Sequence, residues 1–199
     1  MSSAQRGRPR EFDTEAALDA AVMVFWKQGY EGTGVAELCE AMGIAKQSMY
    51  DWVGDKRGLY IAAIERYKLT HICGLKGHLT APGSPLGNLW HCLHAMAEYA
   101  KSPDCMGCLL TNAESEFGTS DPEVARLTAD IESYIVDQFS QVLDRAKAAG
   151  EVPETLDTKA MGGALAVFRN GIMVAGRSGQ SASSIDQTIQ LIEGLLKAG

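Results

Sequence analysis

The segment 43–56, GIAKQSMYDWVGDK, brings together polar side chains suited to contact with a hydrogen-bonding, charged surface. Lys46 is a cation, Gln47 offers a donor beside an acceptor, and Tyr50 carries a hydroxyl group on a flat ring. A Gln amide can pair with the adenine edge in the major groove of DNA, and Lys can donate to guanine or to phosphate. These residue types at this spacing indicate contact with nucleic acid.

A short helix must position these side chains. Met49 and Val53 lie four residues apart and face inward, which leaves the polar side chains on the opposite side. A preceding helix over about 35–42 ends at Gly43, so the two helices form a helix-turn-helix. In that motif the second helix enters the major groove. The next helix begins at Lys56, where free N–H groups predict a contact with phosphate.

The whole chain predicts an all-α fold, because apolar residues recur at intervals of three and four and no segment alternates as a strand does. The prediction is about nine helices, at about 13–28, 35–42, within 43–56, and at 56–78, 86–101, 105–117, 122–149, 157–177 and 184–197. We divide the chain into residues 1–55, a three-helix DNA-binding domain with an N-terminal arm, and residues 56–199, a second helical domain.

Composition excludes several classes of protein. The 199 residues carry a net charge of −7, yet Arg6, Arg8 and Arg10 form a basic arm at the start. An acidic body with a basic arm favours local contact with nucleic acid over general adhesion to it. No apolar run is long enough to span a membrane, and no apolar segment follows the basic residues as in a signal peptide. We expect a cytoplasmic protein with reduced thiols and no membrane contact.

Residues 8–59 resemble the DNA-binding domain of the TetR (tetracycline repressor) family. The likeness is carried by ALDAAVMVFWKQGYEGTGV and ELCEAMGIAKQSMYDWVGDKRGLY with their spacing, and by Gly29, Tyr30, Thr33, Gly43, Tyr50 and Lys56. The resemblance implies a transcriptional regulator, most often a repressor, that leaves a palindromic double-stranded operator when a small-molecule inducer binds a helical C-terminal domain. It also implies a homodimer.

With this resemblance, the basic arm is expected to enter the minor groove. The residues expected to contact DNA are Arg6, Arg8, Arg10, Thr33, Lys46, Gln47, Ser48, Tyr50, Trp52 and Lys56. Four residues depart from the family pattern: Ala45 replaces a common Ser cap, Gly34 replaces a hydroxyl residue, Val53 replaces a usual Phe, and Asp51 puts an acid on the DNA-facing side. Asp51 either accepts from cytosine or discourages wrong sites, and the sequence leaves both open.

The last two helices are the expected dimer interface. Residues 157–177 are rich in Gly and Ala, which permits close approach of another backbone. Residues 184–197 carry one apolar stripe, Ile185, Ile189, Ile192 and Leu196. Two such helices from each subunit form a four-helix interface. The alternative is packing within one chain.

The middle helices are expected to enclose the ligand, with apolar walls and a few polar anchors. The candidates are Trp90, His94, Met96, Tyr99, Cys105, Cys108, Leu109, Asn112, Glu116, Phe139, Phe168 and Arg169. Each of them could instead be plain core.

All four His and four of the five Cys lie between residues 71 and 108. They are core residues, or Cys105 and Cys108 form a thiol sensor for oxidants or electrophiles, or these thiols bind a metal with His91 or His94. We expect no metal and no cofactor.

Hydrolase, metalloprotease and nucleotide-binding motifs are missing from the sequence, so we expect no enzyme. Two rival interpretations stay open at this point. One is a thiol redox enzyme that uses Cys105 and Cys108, and the second is a helical adaptor that does not bind DNA.

Overall fold

The computed structural model describes residues 12–180 and 182–197. Within these ranges the chain forms ten α-helices, one π-helical segment and no strand. The helices are α1 (Thr14–Gln28), α2 (Val35–Met42), α3 (Lys46–Val53), α4 (Lys56–Tyr67), α5 (Gly74–Leu79), α6 (Pro85–Lys101), α7 (Leu109–Phe117), α8 (Pro122–Ala148), α9 (Thr158–Arg177) and α10 (Ala182–Lys197). The π-helical segment Lys68–Ile72 lies between α4 and α5, so this stretch counts as one interrupted helix and the predicted all-α fold of about nine helices is confirmed.

The chain divides into two compact units between Arg66 and Tyr67, later than the predicted boundary after residue 55. The reason is that α4 contributes to the core of the first unit. The ring of Tyr60 is fully buried and lies edge-on to Phe25, with 4.9 Å between centroids. At the end of the first unit, Arg66 donates from Nε and Nη2 to both oxygens of Asp19, at 2.7 and 2.8 Å.

Local sequence sets the ends of the helices that hold α3. Asp13 caps α1, because its carboxylate accepts from the backbone N–H groups of Glu15 and Ala16. Gly43 ends α2 with φ at 65°, a left-handed conformation that favours glycine. At α3 the capping position is Ala45, and no side chain caps the helix there.

The second unit is held by closely crossing helices. A Cβ atom added to Gly162 of α9 would lie 2.3 Å from Oγ of Ser140 on α8, so only a glycine allows this approach. The same holds at Gly176, where an added Cβ would lie 2.6 Å from the carbonyl oxygen of Ala100 on α6. The Gly-rich composition of α9 therefore serves packing inside the protomer as well as any contact outside it.

One helix begins later than predicted. The segment from residue 105 is not helical, and α7 starts at Leu109. Gly107 has φ at 74°, and Cys108 is extended at the capping position, so neither continues a helix. Cys105 is consequently outside the helix, and Cys108 lies at its N-cap.

No helix in the two described ranges is both long and apolar enough to cross a bilayer.

Candidate nucleic-acid interface and effector site

Helix α3 is anchored on one side by Met49. This side chain is fully buried, and its Sδ atom lies 4.0 Å from Sγ of Cys39 on α2. Val53, the second predicted anchor, is half-buried. Burial of a thioether against the neighbouring helix fixes which side of α3 faces outward.

The opposite side of α3 is polar and exposed, as predicted. Lys46, Gln47 and Tyr50 are all exposed, and Nζ of Lys46 lies 5.7 Å from the centroid of the Tyr50 ring. Nε2 of Gln47 donates to Oδ1 of Asp51 at 2.8 Å. We call these four residues the reading face. It offers one cation, one amide, one phenol and one carboxylate to a partner.

Two further residues predicted to contact DNA flank the reading face. Ser48 is half-buried. Trp52 is also half-buried, and its ring lies edge-on to Phe12 with 5.2 Å between centroids. Both keep part of their surface accessible, and their contact with DNA stays a prediction.

Lys56 opens α4 and is half-buried. Its Nζ atom lies 4.2 Å from the centroid of the Tyr30 ring, a cation–π contact that orders the ammonium group. Asp55 accepts from the N–H of Gly58 at 2.7 Å, so one N–H at this helix start is already satisfied. Lys56 adds a cation at this helix start, and its contact with phosphate stays a prediction.

The structure corrects the prediction for Thr33. Its side chain is 3% exposed, and its hydroxyl donates to the carbonyl oxygen of Gly29 at 2.5 Å. Its backbone N–H donates to Tyr30. Thr33 therefore closes the turn between α1 and α2 and presents no free donor to DNA. Arg6, Arg8 and Arg10 lie outside the described residues.

In the second unit, Arg169 of α9 is the centre of a buried polar cluster. It is 5% exposed, and its Nη2 donates to Sγ of Cys108 at 3.1 Å. The hydroxyl of Tyr67 donates to the same sulfur at 3.6 Å. Burial raises the pKa of Tyr67 well above its ordinary value, and Cys108 raises it further. Tyr67 is thus a neutral donor at physiological pH.

Carboxylate and amide groups complete this cluster. Nη1 of Arg169 donates to Oδ1 of Asn170 at 2.6 Å and lies 3.5 Å from Oε1 of Glu132. Burial lowers the pKa of Arg169, but Cys108 and Glu132 outweigh that effect and the net shift is upward. The pKa of Glu114 is also raised, first by burial and then by Glu132. The cluster therefore holds a permanent cation opposite a carboxylate, away from bulk water.

The amide of Asn112 is a buried donor without a partner in the described residues. Its Nδ2 atom is inaccessible to solvent and donates to no acceptor. Asn112 lies one turn beyond Cys108, since its N–H donates to the carbonyl oxygen of that residue. A buried amide without an acceptor costs about 1–3 kcal/mol, which makes this group a candidate anchor for a ligand acceptor.

The outward side of α9 is made of small and apolar residues. Val167 is 73% exposed and Val174 is 50% exposed, and Ala164 and Gly171 lie exposed on the same helix. Added Cβ atoms at Gly163 and Gly171 would meet nothing within 4 Å in the protomer. This side of the helix is therefore free to pack against another chain.

Family models match both parts of the chain. Residues 17–63 match the model for bacterial regulatory proteins of the TetR family, and residues 85–192 match the tetracyclin repressor-like C-terminal domain. The chain belongs to the TetR family. It is a DNA-binding transcriptional regulator of the helix-turn-helix type.

Relatives and solved structures agree with this assignment. The HTH-type transcriptional regulator YezE of Bacillus subtilis is 35% identical over 147 residues, which cover 73% of this chain and 76% of YezE. The repressor ComR of Escherichia coli is 29% identical over 187 residues, 92% of this chain and 88% of ComR. The TetR-family regulator CifR, solved as a cysteine mutant with 26-base-pair operator DNA, is 26% identical with a TM-score of 0.80, covering 96% of this chain and 99% of CifR.

The second unit of this TetR-family chain holds some predicted pocket residues in its interior and places others at its surface. Cys108, Leu109, Phe139 and Arg169 are buried, whereas Trp90, Met96, Tyr99, Cys105, Asn112 and Phe168 are half-buried. His94 and Glu116 are exposed, and His94 pairs with Glu193 of α10 at 2.8 Å. These two side chains therefore do not line an interior site.

Sequence reasoning missed Tyr67, Glu132 and Asn170 as members of the Arg169 cluster. They come from three different helices, α4, α8 and α9, and two of them are far from Arg169 along the chain. The one available signal was an Arg in the apolar segment GALAVFRNGIMV, because a buried cation needs partners.

The thiol and metal interpretations gain no support in this TetR-family chain. Cys108 is 1% exposed, and Cys105 lies outside the helix whose N-terminus was expected to activate both thiols. His91 and His94 are exposed. Across the part of the chain that the structure describes, no three His, Cys, Asp or Glu residues are grouped to hold a metal ion.

Proposed function

We propose that this protein is a transcriptional repressor that binds a palindromic operator as a homodimer and leaves it when a small effector occupies the second unit. The observation that carries the proposal is the reading face, four polar side chains on one exposed side of a helix whose other side is fixed by Met49. The name of ComR and the operator complex of CifR support repression and operator binding.

The dimer that we propose forms through exposed side chains of residues 157–177 and 184–197. The predicted apolar stripe of α10 is not available for it, because Ile185, Ile189 and Leu196 are already buried within the protomer. The exposed Val167 and Val174 of α9 support this choice, and Leu191 of α10 adds a third large apolar side chain at 63% exposure. Two copies related by a twofold axis would bury these residues against each other. A twofold dimer presents two copies of α3 to two half-sites about one helical turn of DNA apart.

The effector site that we propose is the buried cluster around Arg169 with Asn112. A guanidinium group and an unpaired amide donor both select hydrogen-bond acceptors. The effector is therefore a small, largely apolar molecule with a carbonyl, carboxylate or hydroxyl oxygen. Glu132 already neutralises part of the charge of Arg169, so a single acceptor group on the effector suffices.

DNA binding and effector binding oppose each other in this account. The coupling must be reciprocal, so operator DNA weakens effector binding by the same factor as the effector weakens operator binding. No catalytic step is needed, and we propose that the protein is not an enzyme and acts in the cytoplasm, where its operator is.

The test is binding of the full-length dimer to the DNA upstream of its own gene, measured by fluorescence anisotropy at about 150 mM salt. We expect saturable binding that the double substitution of Lys46→Ala and Tyr50→Ala abolishes. Lys76→Ala is the matched control, since Lys76 is an exposed cation on α5, outside the proposed dimer interface, and its loss should leave binding unchanged. Absence of saturable binding in any upstream palindrome, or equal loss with the control, would refute the proposal.

A further inference from the structure

Asp51 is an unexpected residue on a surface that meets DNA. Its carboxylate carries a negative charge on the exposed side of α3, where the phosphates would repel it. This repulsion acts in every DNA complex, whatever the base sequence. A residue with that effect calls for a specific use, and the contact that its carboxylate makes on α3 is with Gln47.

The contact between Gln47 and Asp51 fixes the orientation of the Gln47 amide, with its NH₂ group towards Asp51. A carboxylate only accepts hydrogen bonds, so the group within 2.8 Å of Oδ1 must be the NH₂ of Gln47. The two residues are four positions apart, the spacing at which side chains on a helix meet. Without such a partner, an exposed Gln would sample many rotamers and would lose that freedom on binding.

The hydrogen bond leaves Gln47 with the groups needed to read one base. One N–H is donated to Asp51, and the second N–H and the carbonyl Oε1 remain available. Adenine presents N7 as an acceptor and its N6 amino group as a donor in the major groove. The free N–H and Oε1 match this pair, whereas guanine presents two acceptors and would meet Oε1 with its O6.

We propose that Asp51 is a positioning residue that orients Gln47 for bidentate recognition of one adenine in each operator half-site. This inference rests on the proposed function and adds to it the base that α3 selects. Asp51 acts through Gln47 and does not itself contact the base. Lys46 and Tyr50, the other two residues of the reading face, make a similar contact four positions apart, between the ammonium group and the ring.

The experiment begins with the wild-type, full-length protein and a random-sequence DNA library, which defines the half-site. Each adenine of the selected site is then replaced by 7-deazaadenine in both half-sites, which removes N7 and keeps the base pair. We expect one position at which this change weakens binding roughly tenfold, the lower part of the range for a bidentate pair. Gln47→Ala should remove that penalty.

Variants of Asp51 separate positioning from repulsion. Asp51→Asn removes the charge and keeps an acceptor oxygen, so it should retain most of the 7-deazaadenine penalty. Asp51→Ala removes the charge and the acceptor oxygen together. With the Gln47 amide free to rotate, 7-deazaadenine should then weaken binding by less than about threefold. Because both variants lose one negative charge, both should tighten binding to nonspecific DNA equally.

The double variant Gln47→Ala with Asp51→Ala completes the test. If Asp51 acts through Gln47, the double variant discriminates between bases no worse than Gln47→Ala alone. Additive losses would show that Asp51 reads a base directly and would overturn the inference. An unchanged penalty in Asp51→Ala would overturn it as well, because Asp51 would then act by repulsion only. Selection of no site by the wild type would refute the proposed function itself.

Discussion

Arg169 shows how one residue can constrain the interior of the second unit. Its guanidinium lies between the sulfur of Cys108 and the carboxylate of Glu132, and it is almost wholly buried. Breaking a buried ion pair by removing one partner is costly, because the other charge stays in a low-dielectric environment. The same contacts that make Arg169 a candidate anchor for an effector therefore make it a residue on which stability depends.

Replacement of Arg169 by Met should lower the free energy of unfolding by about 3 kcal/mol, because Glu132 is left without its cation. Urea denaturation followed by circular dichroism measures the change. Arg126→Met is the control, since its pair with Asp130 is exposed on α8 and is worth at most about 0.5 kcal/mol. Equal effects of the two substitutions would contradict the account of the cluster.

Cys92 gives a pH dependence with a definite sign. Burial raises the pKa of its thiol to about 11 in the folded chain, against about 8.5 when unfolded. Between these values the unfolded chain binds fewer protons than the folded one, so stability is present below about pH 8.5 and falls as pH rises towards 11. The slope from this thiol is at most about 1.4 kcal/mol per pH unit.

Urea titrations at about pH 8, 9 and 10, which span this window, test the prediction. The stability of the wild type should fall more steeply with pH than that of Cys92→Ala. The cavity in Cys92→Ala also lowers stability, but by the same amount at each pH, so it does not change the slope. Parallel curves for the two proteins would show that the Cys92 thiol does not keep its proton in the folded state.

At the scale of elements, the periodicity of apolar residues was sufficient to predict most helices and the outward side of α3. It failed where a distant residue decides the local conformation. Just before α7, which starts at Leu109, the chain is tied to a distant segment, because Nη1 of Arg177 on α9 donates to the carbonyl oxygen of Met106 at 2.9 Å. A single-sequence pattern contains no information on such a pairing, and the Arg169 cluster was missed for the same reason.

A glycine of α9 and a glycine of α5 provide a matched pair for testing the crossing of α9 and α8. Gly162→Ala should destabilise the protein by about 1–2 kcal/mol, because the added methyl group meets Ser140 and Val136. Gly77→Ala on α5 meets nothing within 4 Å and lies outside the proposed dimer interface, so it should instead be neutral or stabilising by up to about 1 kcal/mol through helix propensity. Thermal unfolding of the two variants compares them directly, and the reverse order would contradict the packing of α9 on α8.

At the scale of the whole molecule, recognition of a palindrome requires two copies of the chain. One α3 reads a few base pairs, and the affinity of a dimer comes from engaging two half-sites together. The apolar outward side of α9 leaves Val167 at 73% exposure in the protomer, which a partner chain would cover. The dimer is thus the part of the account that links the sequence of the second unit to operator binding.

Val167→Arg should convert the protein to monomers, since it would place a charged guanidinium group in the apolar interface that we propose. Analytical ultracentrifugation at micromolar concentration measures the change, and operator affinity should fall with it. Leu69→Arg makes a similar change at an exposed apolar residue of the π-helical segment and should leave the dimer intact. A dimer that persists in Val167→Arg would place the interface on another surface.

The central claim is that the exposed side of α3 lies against the bases of the operator. Site-specific photo-crosslinking tests it most directly, with a benzophenone amino acid in place of Tyr50, or of Leu69 as the control, in the full-length protein bound to operator DNA. The account predicts a crosslink from position 50 to bases within a half-site and none from position 69. A protein that binds operator DNA fully but crosslinks from position 69 and never from position 50 would contradict it.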